Sequence, residues 1–399
     1  MIERYREVFN RNFTKAKYEA FLDDIAREFD YRPTFRIAET PVFIPRQLKQ
    51  KLLLACEDIL SVLNRPDFKE LTRDAIKHPA LKVPSEDYDC RFLQFDFGIC
   101  LDKHGEPTPQ LIELQGFPSL YFYQDFLARM YMKHYEIPDR FSVHLNGMHR
   151  EEYIELLRHE IVGDTDPKQV VLLEVEPEKQ NTLIDFLCAQ QVLGIKILDI
   201  SQMKKRGKEL FYIDAEGNEI KILKIYNRVI FDELNQRQDI EREFYFQDEV
   251  DVEWVGHPNW FFRVSKYTMP LLKGEFVPES FYLDKLPAYP DDLDNYVLKP
   301  LYSFAGSGVQ LNITREILDQ IADRENYILQ KKVNYQPVVK TMDVPAKCEI
   351  RMMCVFNTRE QTTSVVNNLV RLSKGEMIGV KYNKDKEWVG GSVGFFEDD

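Results

Sequence analysis

The chain has no apolar run close to the roughly 20 residues that a helix needs to cross a bilayer, so no membrane-spanning segment is expected. Its start, MIERYREVFNRNF, has no long apolar stretch followed by small residues and does not read as a secretory signal. The cytoplasm is therefore the expected location. Cys56, Cys90, Cys100, Cys188, Cys348 and Cys354 are scattered without close paired spacing, which predicts buried free thiols rather than a disulfide framework. The seven histidines lack the paired spacing of zinc ligands. Positive charge is also short: 53 Lys and Arg against 66 Asp and Glu leave a formal charge of −13, a poor match to a nucleic-acid backbone. A local basic cleft for a nucleotide is still compatible with that balance. No internal repeat or low-complexity tract is present.

With 399 residues, 44% of them hydrophobic and 30% charged, the chain has the composition of a globular protein and exceeds what one core usually supports. Two or three domains are expected. Residues 1–30 and 45–75 carry apolar residues at helical spacing, as does SLYFYQDFLARMYMKHYEI, which should end near Pro138. VVLLEV, a helix over about 179–193, and IKILDI form a strand-helix-strand unit, the usual sign of a right-handed parallel crossover. Downstream, Arg228 and Asp232 fall near a strand end, where open α/β sheets face their ligands; an ion pair at the surface is the other reading. In WVGHPNWFFRVSK, His257, Trp260 and Arg263 either line a pocket or pack against one another.

FDFGICLDKHGEPTPQLIELQGFPSL (95–120) reads as two alternating strands joined by a turn at His104-Gly105. Symmetric pairing about that turn places Asp96 opposite Glu113 and Gln94 opposite Gln115. Alternation then gives Asp96, Glu113 and Gln115 one shared face, with oxygen donors of the kind that Mg²⁺ prefers. Solvated acids on the outer face of a hairpin would produce the same pattern.

Toward the C-terminus, Lys299 ends the strand NYVLKP and precedes SFAGSG (303–308), whose Ser303, Gly306, Ser307 and Gly308 suit a flap that wraps backbone amides around phosphate. A simple hairpin tip would use the same residues. Gln330 and Lys331 lie on the next strand, ILQKKV. In EIRMMCV, Arg351 would be expensive to bury without an anion, which is either a ligand or a carboxylate such as Glu349; Arg371 in NNLVRLS has the same two readings. Asn383 reads chiefly as a turn residue.

These segments resemble those of the ATP-grasp superfamily of ATP-dependent carboxylate ligases. VLKPLYSFAGSGV, ILQKKV, EIRMMCV and NLVRLSKGEMIGVKYN look like its lysine, flap, hinge and arginine parts, while FDFG and IELQGFPSL look like its terminal metal-binding part moved to the N-terminal side. That order resembles the circularly permuted, glutathionylspermidine synthetase-like members. The resemblance covers roughly 85–125 and 255–399. It implies an α+β, circularly permuted ATP-grasp fold with an inserted α/β domain like the superfamily's pre-ATP-grasp substrate domain. The expected division is 1–138 for helices and the metal hairpin, 139–290 for the α/β domain, and 291–399 for the nucleotide half.

Carried over by position, Asp96, Glu113 and Gln115 would hold Mg²⁺, with Gln115 standing where the family usually has Asn. Lys299, Gln330, Lys331, the 303–308 flap and Lys266 would bind ATP, and Arg351 and Arg371 would stabilise the transferring phosphate. The implied reaction joins a small-molecule or peptide carboxylate to an amine through an acyl phosphate. Two other classes share these features, a regulatory or degenerate ATP-binding module and a small-molecule kinase. No nucleic-acid or membrane partner is expected, and oligomeric state is not legible.

Overall fold

The computed structural model describes residues 1–303, 308–375, 378 and 383–398. Two helices, Glu3–Asn12 and Lys15–Phe29, open the chain; Thr14 caps the second by accepting from Lys17 N, and Asp30 ends it at φ 49°. In the helix Arg46–Leu63, the buried Leu48, Leu52, Cys56, Ile59 and Leu63 recur every three or four residues. That stripe presses onto the main sheet, reaching both Pro107–Gln115 and Thr362–Ser373.

The main sheet has five antiparallel strands in the order Gly390–Ser392, Thr362–Ser373, Lys347–Asn357, Phe92–Leu101 and Pro107–Gln115. The N-terminal hairpin and the C-terminal hairpin thus share one sheet, joined where Arg351 pairs with Asp96. A second junction of the chain ends is the parallel pairing of Val42–Ile44 with Gly394–Glu397.

The middle of the chain forms a four-stranded parallel sheet, Glu253–Val255, Lys224–Asn227, Val170–Glu174 and Lys196–Asp199. The expected crossover is present: the helix Leu183–Leu193 links Val170–Glu174 to its parallel neighbour Lys196–Asp199. Gly194, at φ 75°, stops that helix in the left-handed conformation that favours glycine.

A smaller antiparallel sheet, Ser280–Tyr282, Tyr327–Lys331 and Tyr296–Pro300, forms a lid module. Its own core is Leu283, Leu293, Tyr296, Leu298, Ile313, Leu318 and Leu329. The division expected from sequence shifts accordingly. The boundary at 290 falls inside the lid, because Ser280–Tyr282 is hydrogen-bonded to Tyr327–Lys331. The boundary at 138 separates no cores either, since Tyr121 and Leu127 share one apolar cluster with Leu157, Val170 and Ile184. Among the described residues, no helix is long and apolar enough to cross a membrane.

Candidate functional site

The hairpin brings its acids together by a route that the sequence arithmetic does not contain. Leu101 pairs with Pro107 and Phe97 with Leu111, a register centred on His104 alone. Ile112 then bulges as an extra residue, and beyond it Asp96 pairs with Glu113 and Gln94 with Gln115. The bulge compensates the shifted turn. Since paired residues share a face and alternate residues repeat it, Gln94, Asp96, Glu113, Gln115, Glu349, Arg351 and Arg371 all project from one side of the main sheet.

Arg351 grips Asp96 with both ends of its fork, Nε to Oδ1 at 2.6 Å and Nη2 to Oδ2 at 2.7 Å, while its Nη1 donates to Gln94 at 2.9 Å. Arg371 lies against the same Asp96 carboxylate and also against Glu349. Tyr335 donates its hydroxyl to Glu349 Oε2 at 2.9 Å. Burial raises the Asp96 carboxyl, but the Arg351 and Arg371 guanidiniums outweigh it and hold the group below the usual carboxylate range. For Glu349, burial wins: the carboxyl is pushed up against the pull of Arg371, with Asp96 and Glu113 pushing the same way as burial. Arg371 keeps a buried Nε without a hydrogen-bond partner among the described residues, although a third of its side chain is exposed.

From the lid, Lys299 reaches across and donates to Ile112 O at 2.9 Å, the carbonyl of the bulged residue. Gln330 approaches the neighbouring Leu111 O at 3.5 Å. Lys266 donates to Ser303 O at 2.6 Å and stands 3.6 Å from Glu113 Oε2. Burial pushes the Lys299 ammonium down to about 8, against the pull of Glu113 and with a further push from Lys266. Gly308 lies against Pro300: its φ is 71°, and a Cβ there would meet Pro300 Cγ at 2.7 Å.

The structure therefore brings Glu113, Lys266, Lys299, Ser303 and Gln330 together where the small sheet meets the main sheet, with Gln115 and Arg371 on the same face of the main sheet. Gly306 and Ser307 lie outside the described residues. Three expectations change. Asp96 is an anion clamped between two guanidiniums, with no carboxylate oxygen left open to a metal. Arg351 has Nε, Nη1 and Nη2 all engaged within the sheet and is 8% exposed, so Arg371 is the open guanidinium. Lys331 is exposed and points to the opposite side of its strand from Gln330, because Lys299 pairs with Ile328, which shares the Gln330 face.

Elsewhere, Asn383 accepts from Lys374 N and Gly375 N and so ties the turn after the Arg371 strand. Arg228 is neither at the surface nor in the cleft. It is 2% exposed and paired at 2.5 Å with Asp185, which also accepts from Leu120, Phe122 and Tyr123 N at the start of the helix Tyr121–His134. His257, Trp260 and Arg263 are packed and bonded to Pro84, Asp87 and Glu86. Sequence reading missed Tyr335 altogether and treated Glu349 only as an alternative anion for Arg351. Strand parity with Arg351 was the available signal for Glu349, whereas Tyr335 lies in an irregular segment without a periodic cue.

The donor set fits a phosphate-bearing anion: two lysines from separate segments and an Arg371 Nε that has no hydrogen-bond partner among the described residues. For magnesium the fit is narrower. Among the described residues, no group of three or more His, Cys, Asp or Glu is arranged to hold a metal. Glu113, 29% exposed, and the side-chain carbonyl of Gln115, whose amide donates to Gln94, supply the two oxygens on this face. One or two protein oxygens completed by substrate phosphates and water are the usual pattern for Mg²⁺.

No protein-family model and no curated protein matches the chain. Among solved structures, the apo form of a glutathione synthetase-like effector from Globodera pallida matches it at a TM-score of 0.56 and 13% identity, covering 97% of this chain and 98% of that one. The likeness is one of fold alone: this is a mixed α/β protein whose fold is similar to that of the glutathione synthetase-like effector.

Proposed function

We propose that the chain is an ATP-dependent carboxylate–amine ligase of the circularly permuted ATP-grasp type. The observation that supports this reading is the approach of Lys266 and Lys299 to Glu113 and its bulged neighbour where the lid meets the main sheet, with Arg371 on the same sheet face. Such a cleft suits a triphosphate: Lys266 and Lys299 take its oxygens as point charges, and the open side of Arg371 faces the charge that spreads over the transferring group. Glu113 and Gln115 would hold Mg²⁺, which when bound offsets phosphate charge.

In the proposed reaction a substrate carboxylate attacks the γ-phosphorus of ATP and ADP leaves. An amine then displaces inorganic phosphate from the acyl phosphate, giving an amide. The lid closes against water, which would otherwise consume the acyl phosphate. No protein nucleophile is needed, in keeping with a cleft whose chemistry-bearing side chains are lysines, an arginine and a carboxylate. Substrates are a small-molecule or peptide acid and an amine.

A second reading has its own support. With Asp96 sealed and Arg351 committed inside the sheet, the cleft could bind ATP without transferring phosphate. Thermal unfolding with Mg-ATP and Mg-ADP tests both readings at once, because a ligand of the folded form raises its stability by about 2.7 kcal/mol at a hundred times its Kd. No shift with either nucleotide ends both readings. A shift together with ADP release that requires both an acid and an amine selects the ligase; a shift without turnover across acid and amine pairs selects the binding module.

A further inference from the structure

The polypeptide that leaves the lid has a contact with the site that neither the lysines nor the flap explains. Its last bond to the lid is Lys332 N to Asn295 O at 2.7 Å, and its first bond to the main sheet is Gln336 N to Ile99 O at 3.0 Å. Val333, Asn334 and Tyr335 bridge the two bodies. Within that bridge the Tyr335 ring lies on Gly98, whose absent side chain makes the approach possible: a Cβ there would meet Tyr335 Cε1 at 2.7 Å and Val333 Cγ1 at 3.0 Å. The ring is thereby aimed so that its hydroxyl reaches Glu349 Oε2 at 2.9 Å, while Glu349 Oε1 faces Arg371.

We infer that Tyr335 is a positioning residue, which through Glu349 fixes the Arg371 guanidinium and so ties the exit of the lid to the anion-binding end of the cleft. Glu349 has two oxygens and two partners. Removing the Tyr335 hydroxyl frees one oxygen to rotate, and the guanidinium that shares the other loses its fixed geometry. Asp96 still holds the Arg371 Nη2, but through an oxygen that it shares with Arg351, so one contact remains where two had fixed the guanidinium. The segment carrying Tyr335 moves with the lid at one end and with the sheet at the other, so lid position and Arg371 geometry are mechanically joined. This inference rests on the proposed ATP-dependent reading for its catalytic consequence, but not for the link itself.

The test uses the full-length chain and Tyr335→Phe, which keeps the ring on Gly98 and removes only the hydroxyl. In the ¹⁵N-labelled protein without nucleotide, the buried Arg371 Nε–H gives a resonance assigned by its loss in Arg371→Lys. That resonance is ordered in the parent chain and broadened in Tyr335→Phe. With substrates, kcat falls about 10- to 100-fold, the usual cost of losing an outer-shell partner, while KM for ATP stays within about twofold. Gly98→Ala, which displaces the ring, lowers kcat in the same way, and the double variant is no worse than either single one. An Arg371 resonance unchanged by Tyr335→Phe overturns the inference whatever the chain catalyses. Equal losses in kcat and ATP affinity also overturn it, since they indicate a general structural role. If the parent chain turns over no acid and amine pair while the resonance responds as expected, the link stands and the ligase reading fails.

Discussion

The main sheet and the lid treat buried charge in opposite ways. On the main sheet, Asp96, Arg351, Arg371 and Glu349 sit on long strands and neutralise one another, so that face is nearly complete without a ligand. The lid holds Lys299, buried at 8% exposure, bonded to a single carbonyl, its proton weakened by burial. The sheet's charges are chiefly architecture, with the Arg371 Nε left without a partner among the described residues, whereas the proposed function assigns the lid's charge to an anion. If the proposed function holds, ligand binding should change stability chiefly at the lid, where burial of Lys299 outweighs the pull of Glu113.

The hardest blow to this contrast is Asp96→Ala. It leaves Arg351 and Arg371 facing each other without their shared anion, and unfolding by urea should show a loss of about 3–5 kcal/mol. A loss below about 1 kcal/mol would mean that the sheet's ion pairs are not the self-sufficient unit described. Glu113→Ala comes next. It should remove turnover by roughly a hundredfold or more and leave stability within about 0.5 kcal/mol, because Glu113 is partly exposed and stands outside the Asp96 clamp. Retained ATP turnover in that variant would take Glu113 out of the chemistry.

Lys299→Met should have the opposite signs on the two properties. It weakens nucleotide binding, measured by calorimetry, and stabilises the free protein by about 2 kcal/mol at neutral pH, the scale of a depressed lysine pKa. The pH dependence follows from the same shift. Between about 8 and the ordinary 10.5, the unfolded chain keeps the Lys299 proton that the folded chain has released, so folded stability rises with pH across that window. Lys299→Met should lose that rise, so the parent-minus-variant difference in stability should carry it. The smallest effect is expected for Lys331→Ala, with ATP affinity within about twofold and stability within about 0.5 kcal/mol, as for an exposed side chain away from the cleft. A large loss of ATP affinity there would restore Lys331 to the site and undo the parity argument.

Much of the hairpin was legible because alternation is a local property: Asp96, Glu113 and Gln115 share a face whenever these strands pair in this register. Even so, the expected pairing is reached through two offsetting features, a turn centred one position differently and the Ile112 bulge, and the bulge is what frees the carbonyl used by Lys299. The strand that carries Lys299 was legible from the sequence, whereas residues 304–307 of the expected flap lie outside the described residues. The choice between Gln330 and Lys331 was not, since neighbouring strand residues face opposite sides and only the pairing of Lys299 with Ile328 decides which side meets the cleft.

By itself the sequence determined the elements, the crossover in the middle of the chain, and the clustering of acids on one hairpin face, because these follow from periodicities of a few residues. Which anion answers Arg351 was decided only in three dimensions. Asp96 and Arg351 are 255 positions apart, and their union depends on the two hairpins joining edge to edge in one sheet. A buried guanidinium demands a negative partner, but no local rule says whether that partner is substrate or protein. The pairing of those two strands assigned Asp96 to Arg351 and left Arg371, Lys266 and Lys299 to face the cleft.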